Sequence, residues 1–240
     1  MHIPDGYLGP ITYGSLWAAM APIWMVASKR VQRTLRASQI PLLAMASAFS
    51  FTMMILRVPL PGGTTGHITG TTLVALLLGP WAAAIAVSMA LIIQALFFGD
   101  GGVTAIGANC FNIGFAEAMA GYGIYALIGG RGRKAYPAGP EDREVQRSPL
   151  TARHAVGAAL GAYLAVNLGG LLTAVELGLQ PLLHVSESGA PLYSPFPVAV
   201  TLPAIMGPHL TLIGALEAAI TVLVLLFLAK SHPELIQTRS

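Results

Sequence analysis

Residues 61–80 read Pro-Gly-Gly-Thr-Thr-Gly-His-Ile-Thr-Gly-Thr-Thr-Leu-Val-Ala-Leu-Leu-Leu-Gly-Pro, and the apolar run within them, residues 68–79, decides the fold. At 1.5 Å rise per residue this run covers roughly 18 Å of a bilayer core about 30 Å thick. As a helix it is too short to cross alone, so its start is expected to be sunk below the surface. Around it, apolar runs near 11–28, 40–57, 80–98, 104–128, 154–177 and 209–229 each approach the ~20 residues that a crossing helix needs. Counting the short run as a crossing gives seven. Lys29, Arg30, Arg33 and Arg36, then Arg131, Arg133, Lys134, Arg143, Arg147 and Arg153, then Lys230 and Arg239 all fall on one side, with Arg57 alone on the other. Omitting it would split the first basic group from the second. Because cytoplasmic loops carry the excess of Lys and Arg, seven crossings with the amino terminus outside is the better reading.

The expected fold is therefore an all-α, polytopic membrane helix bundle of about seven transmembrane helices, forming a single integral membrane domain over residues 1–240. A tail over 1–10, a basic cytoplasmic loop over 131–153 and an outer Pro-rich loop over 178–208, with a short helix in 196–206, complete the layout. Composition agrees: 55% of residues are hydrophobic and 10% charged, against about 25% charged in soluble domains. The net charge of +3 reflects topology and not a nucleic-acid surface. The single cysteine, Cys110, excludes an internal disulfide framework and a thiolate cluster. No basic region precedes the first apolar run, so no cleavable signal is expected and Met1 is expected to be the mature terminus. No Gly-rich phosphate loop ending in Gly-Lys-Ser/Thr, His-Glu-x-x-His or Gly-x-Ser-x-Gly pattern is found, so the chain has no ATPase motif of its own and no enzyme signature.

Chemistry begins at Met1-His2. An α-amine, the His2 amide nitrogen and His2 Nδ1 can close a five- and a six-membered ring around one late first-row ion, close to a plane, leaving one position for another nitrogen. His67 is the natural fourth donor: it shares the outer side, lies in a glycine-rich loop and precedes the short helix, whose positive end would keep its imidazole neutral. Pro4 and the turn pair Asp5-Gly6 can fold the tail back onto this face. Polar residues at membrane depth are Gln94, Asn109, Asn112, Glu117, Asn167, Glu176 and Glu217. Asn109, Asn112 and Ala116 share a helix face and could hydrogen-bond a metal ligand or link helices. His209 follows Pro208 at the start of the last segment; capping is expected first, with ligation or contact with a ligand as alternatives, and Glu217 lies two turns deeper. Ala44 and Ala48, four apart, form a small face for a helix of this or another subunit.

With these residues in hand, the chain resembles the CbiM/NikM family, the substrate-binding (S) subunits of energy-coupling-factor transporters for cobalt and nickel. The resemblance is carried by Met1-His2-Ile3-Pro4-Asp5-Gly6, by Gly66-His67, by Pro208-His209 and by the seven-segment layout. It implies a six-helix core preceded by one extra amino-terminal helix, and a metal held by Met1, His2 and His67. It also implies a multi-pass protein of a prokaryotic cytoplasmic membrane. The implied partners are a transmembrane coupling (T) subunit that meets Ala44 and Ala48, two ATP-binding cassette ATPases and a small accessory membrane subunit. The expected activity is capture of Ni(II), or Co(II), as transported substrate in a square-planar four-nitrogen site, with no organic cofactor. The alternative is a stand-alone proton-coupled metal transporter using Glu117, Glu176 and Glu217.

Overall fold

The computed structural model describes residues 1–35, 40–60, 64–129 and 150–232. Arg36, Pro61 to Gly63, most of the basic loop including Arg131, Arg133, Lys134, Arg143 and Arg147, and Arg239 lie outside the described residues. Helices dominate: α1 (Pro10–Thr34), α2 (Ile40–Ile55), α3 (Thr71–Leu78), α4 (Pro80–Ile93), α5 (Ile106–Asn109), α6 (Glu117–Gly129), α7 (Ala152–Gly178), α8 (Gln180–Leu183), α9 (Val198–Pro208) and α10 (Gly214–Ser231). Among the described residues, three π-helical turns join these into longer rods. Gln94–Phe98 extends α4, Cys110–Ala116 links α5 to α6, and His209–Ile213 links α9 to α10. π turns are uncommon and gather at functional positions; here one follows Asn109 and another starts at His209.

The bundle is not purely α-helical. The glycine-rich segment expected to be a loop forms a hairpin, β1 (Arg57–Leu60) against β2 (Thr64–His67), antiparallel with Arg57 opposite His67. Arg57–Leu60 and Thr64–His67 are stabilised by cross-strand backbone pairing with each other, a gain that helical periodicity does not register.

Among the described residues, three stretches are long and apolar enough to cross a membrane: Pro80–Phe98, Ala152–Leu183 and Val198–Ser231; Ile40–Ile55 is a shorter apolar helix. Within 178–208 the structure has the short helices α8 and α9, the latter over the stretch where a short helix was expected, and Val198–Ser231 corrects one expectation: His209 sits in mid-rod, with Nδ1 2.7 Å from the Ile205 carbonyl, instead of capping a helix start. The reason is Pro208: it removes one N–H from the ladder, and the chain widens into a π turn and continues.

Glycine allows the helices to approach closely where α6 meets α7. A Cβ on Gly161 would lie 2.6 Å from the Gly121 carbonyl, so backbones touch there without intervening side chains. Trp24 Nε1 donates to Ser88 Oγ at 2.9 Å, tying α1 to α4.

Candidate metal site

The first nine residues are threaded into one end of the bundle. Met1 and Ile3 are fully buried and Leu8 nearly so. Met1 packs with Met20, Met54 and Val87, and Ile3 and Leu8 pack with Ala108, Ala174 and Leu177. Burying side chains of this size stabilises by about 1.5–3 kcal/mol each, enough to hold a short tail. Hydrogen bonds then fix its register. Ile3 N–H donates to Asn109 Oδ1 at 2.9 Å, and Asn109 Nδ2 returns a bond to the Ile3 carbonyl at 3.2 Å. Gly102 N–H donates to the same carbonyl at 2.8 Å. Asp5 accepts from Val103 N–H at 3.0 Å, Thr104 N–H at 2.9 Å and Thr104 Oγ1 at 2.6 Å. Gly9 N–H donates to Gln180 Oε1 at 2.9 Å, and Ser194 N–H to the Tyr7 carbonyl at 3.1 Å. Gly102 is obligatory: a Cβ there would lie 2.4 Å from Asp5 N and 2.7 Å from Pro4 C.

This threading brings the three sequence-selected residues together. The His2 and His67 rings lie with centroids 4.5 Å apart, tilted by 52°. The Met1 amine donates to the Thr65 carbonyl, two residues before His67. His67 Nδ1 is 3.3 Å from the Ile68 carbonyl, which favours the tautomer protonated at Nδ1; its Nε2 is buried and has no hydrogen-bond partner among the described residues. A buried lone pair of this kind is what a metal ligand needs. Burial lowers the amine from 8.0 to about 4, opposed by the negative charges of Glu117 and Asp100. Burial likewise lowers His2, and lowers His67 well below its usual value, with the amine and His2 adding to the effect at His67. All three groups are therefore held as neutral donors near pH 7.

Asp100, not selected from the sequence, also belongs here: its Oδ1 lies 2.9 Å from His2 Nδ1 and 2.6 Å from Arg57 Nη1. Burial alone would raise its pKa, but the contacts with His2 and Arg57 outweigh that and hold it below the usual carboxylate value. The available signal was an acid in Gly99-Asp100-Gly101, flanked by two glycines at φ 62 and 90. His2 Nδ1 thus faces a carboxylate.

Behind His67 lie two buried carboxylates. Glu217 accepts from Thr69 N–H at 2.7 Å and Gly70 N–H at 2.9 Å, and Thr69 Oγ1 donates to Glu117 at 2.9 Å. Glu217 therefore occupies the positive approach to α3, which corrects the expectation that this end acts directly on the His67 imidazole. Asn112 donates to Glu176 at 2.9 Å and touches Thr173, whose hydroxyl is 3.5 Å from the Met1 carbonyl. Asn109 and Asn112 thus hold the tail and its surroundings. His209 is buried with Nε2 unpartnered among the described residues, and its ring rests on Gly170 of α7. Ala44 and Ala48 lie on the exposed side of α2. Among the described residues, no three His, Cys, Asp or Glu side chains group as a metal cluster.

A helical bundle with apolar, bilayer-length rods, carrying two imidazoles and a backbone amine close together at one end, defines the class as a helical membrane protein. A model of the CbiM family, described as the cobalt uptake substrate-specific transmembrane region, matches residues 2–235. The fused nickel transport protein NikMN of Rhodobacter capsulatus is 44% identical over 239 residues, covering 100% of this chain and 65% of that protein. The cobalt transport protein CbiM of a Nostoc species is 33% identical over 182 residues, 75% of this chain and 62% of that protein. The chain thus spans less than two thirds of the length of these two relatives. A solved structure described as a truncated transition metal transporter is 45% identical, with a TM-score of 0.85 covering 97% of this chain and 100% of that one. The chain belongs to the CbiM family.

Proposed function

We propose that the chain is the substrate-binding membrane subunit of an energy-coupling-factor transporter that captures Ni(II), or Co(II), through the Met1 amine, the His2 amide and Nδ1, and His67 Nε2. The observation that carries this reading is the meeting of His2 and His67 rings at 4.5 Å, although 65 positions separate them. The remaining donors then come from the backbone of the tail, and three of the four nitrogens lie in one chelate plane. Nickel is favoured over cobalt, because Ni(II) accepts planar coordination with a deprotonated amide more readily. The names of the two relatives, one for nickel and one for cobalt, support the pair of ions.

The described basic residues Lys29, Arg30, Arg33, Arg153 and Lys230, at helix ends away from the tail, support a seven-crossing orientation with the tail outside in a prokaryotic cytoplasmic membrane. ATP hydrolysis belongs to two partner ATPases, coupled through a transmembrane subunit that packs on exposed Ala44 and Ala48, with a small accessory membrane subunit. The test is metal analysis of the purified chain with a native Met1 beside a tag-extended or acetylated form. The native form should hold about one Ni(II) per chain and the blocked form none; equal loading refutes the chelate.

A second reading has its own observation: Glu117 and Glu217 share Thr69 in the interior, a pairing suited to a proton-coupled transporter with Glu176 as a further relay group. Reconstituting the chain alone in liposomes decides: gradient-driven, ATP-independent metal accumulation supports it, and none rejects it.

A further inference from the structure

Arg57, Asp100, His2 and His67 close a circuit at the mouth of the site. Arg57 stands opposite His67 across the hairpin. Its Nη1 is 2.6 Å from Asp100 Oδ1, the same oxygen is 2.9 Å from His2 Nδ1, and the His2 ring lies 4.5 Å from that of His67. Exposure falls along this path: the side chains of Arg57, Asp100 and His2 are 49%, 12% and 2% exposed. An ion coming from solvent therefore meets Arg57 first, Asp100 next and the imidazoles last.

The placement of Asp100 is unfavourable for a carboxylate without a cation. It follows Gly99, the left-handed cap of the π turn that ends the α4 rod, and its own N–H bonds the Gln94 carbonyl at 3.0 Å. The carbonyl end of a helix is the negative end, where anions are disfavoured and cations are held. In this structure the cation is the Arg57 guanidinium. The chelate, however, requires His2 Nδ1, and that nitrogen faces Asp100. Loading must break the Asp100 to His2 contact, and Arg57 is positioned to take the carboxylate when it does.

We propose that Asp100 is an admission ligand: an incoming hydrated divalent cation displaces the Arg57 guanidinium from Asp100, is passed to His2 and His67, and leaves Asp100 to re-pair with Arg57. This rests on the four-nitrogen reading and adds to it a path and an order of steps. Each exchange replaces a water on the ion by a protein donor. A carboxylate oxygen takes a hydrated divalent ion readily, while the nitrogen set retains a late first-row ion better. A single carboxylate at a narrow approach also raises the local cation concentration, whereas Arg57 opposes arrival until it swings aside.

The test is stopped-flow mixing of Ni(II) with the purified full chain bearing a native Met1, followed by the ligand-field absorption of the planar ion. Asp100→Asn should lower the association rate constant by roughly tenfold or more, with a final spectrum like that of the unsubstituted chain. Arg57→Ala should raise the rate severalfold, a gain that shrinks as salt is added, and the double variant should behave as Asp100→Asn. Unchanged association in Asp100→Asn, or slower association in Arg57→Ala, overturns the proposal, as does an altered final spectrum in Asp100→Asn, which would make Asp100 part of the loaded site. Should Asp100→Asn not fold, Arg57→Ala on the exposed hairpin decides alone. If the planar band never forms in the unsubstituted chain, or survives His67→Ala, the four-nitrogen reading fails; a normal band with unaltered rates refutes only the admission role.

Discussion

Replacing Asn109 by alanine should loosen the amino-terminal tail while leaving the bundle folded. In the structure Asn109 makes a two-way clamp on Ile3, one residue after His2, through bonds of 2.9 and 3.2 Å in a fully buried setting. The Ile3 carbonyl keeps its bond from Gly102 N–H in the variant, but the Ile3 N–H has no other acceptor among the described residues. Leaving a buried donor unsatisfied costs about 1–3 kcal/mol. Because 1.4 kcal/mol is a factor of ten, metal affinity should fall by roughly 5- to 140-fold, if the docked tail is what presents the amine and His2. Calorimetric titration of Ni(II) into the purified chain with a native Met1 measures the loss, and thermal unfolding without metal checks the bundle. Asn109→Asp adds a sharper comparison. It keeps an acceptor for the Ile3 N–H but sets a carboxylate against the Ile3 carbonyl, so it should bind metal worse than the native chain despite its near-identical shape. Affinity within twofold of native in Asn109→Ala would refute the reasoning, since the tail would then be held by something other than the clamp.

Further outcomes follow from the same geometry. A docked amine that takes up a proton at about 4, against 8.0 when free, means the undocked tail binds more protons between those values. Docking therefore strengthens as pH rises toward 8.0 and weakens as it falls. Hydrogen exchange at Ile3, corrected for its intrinsic rate, should lose protection on acidification, and constant protection would contradict the buried neutral amine. Glu217→Ala strips acceptors from the buried Thr69 and Gly70 N–H groups and should lower stability by about 2 kcal/mol or more, read as a reduced melting temperature; an unchanged melt would count against Glu217 as the anchor of the segment after His67. Leucine at both Ala44 and Ala48, on the exposed side of α2, should leave metal affinity intact and abolish co-purification with the coupling subunit. Undiminished co-purification would move the partner surface elsewhere.

The predominantly helical, apolar character of the chain was legible because burial in lipid imposes a local, additive demand: a run of apolar residues long enough to cross. The starts and ends near 80–98 and 152–178 follow from that demand alone. What failed were features whose stability is not local. Pro208 reads as a helix start, but neighbouring packing and a π turn carry the rod through it, placing His209 in mid-helix. The 57–67 segment reads as an irregular loop, but its two ends find each other as a hairpin. In the site, Met1, His2 and His67 could be chosen because chelate rings and nitrogen donors are properties of residue types at fixed spacing. Asp100 could not, since one acid between glycines acquires meaning only from the His2 and Arg57 that fold against it.

The sequence by itself determined that this chain is a membrane helix bundle, and it carried the motifs of its family, because hydrophobic length and the donor atoms of Met1-His2 depend on neighbours along the chain. The tertiary structure decided how the tail is held and what surrounds the donors. Threading Met1 and Ile3 into the core, clamping Ile3 on Asn109, setting His2 between Asp100 and His67, and closing Glu217 over Thr69 and Gly70 are contacts between residues far apart in sequence. Such contacts are fixed by the packing of the whole bundle, which no local pattern encodes.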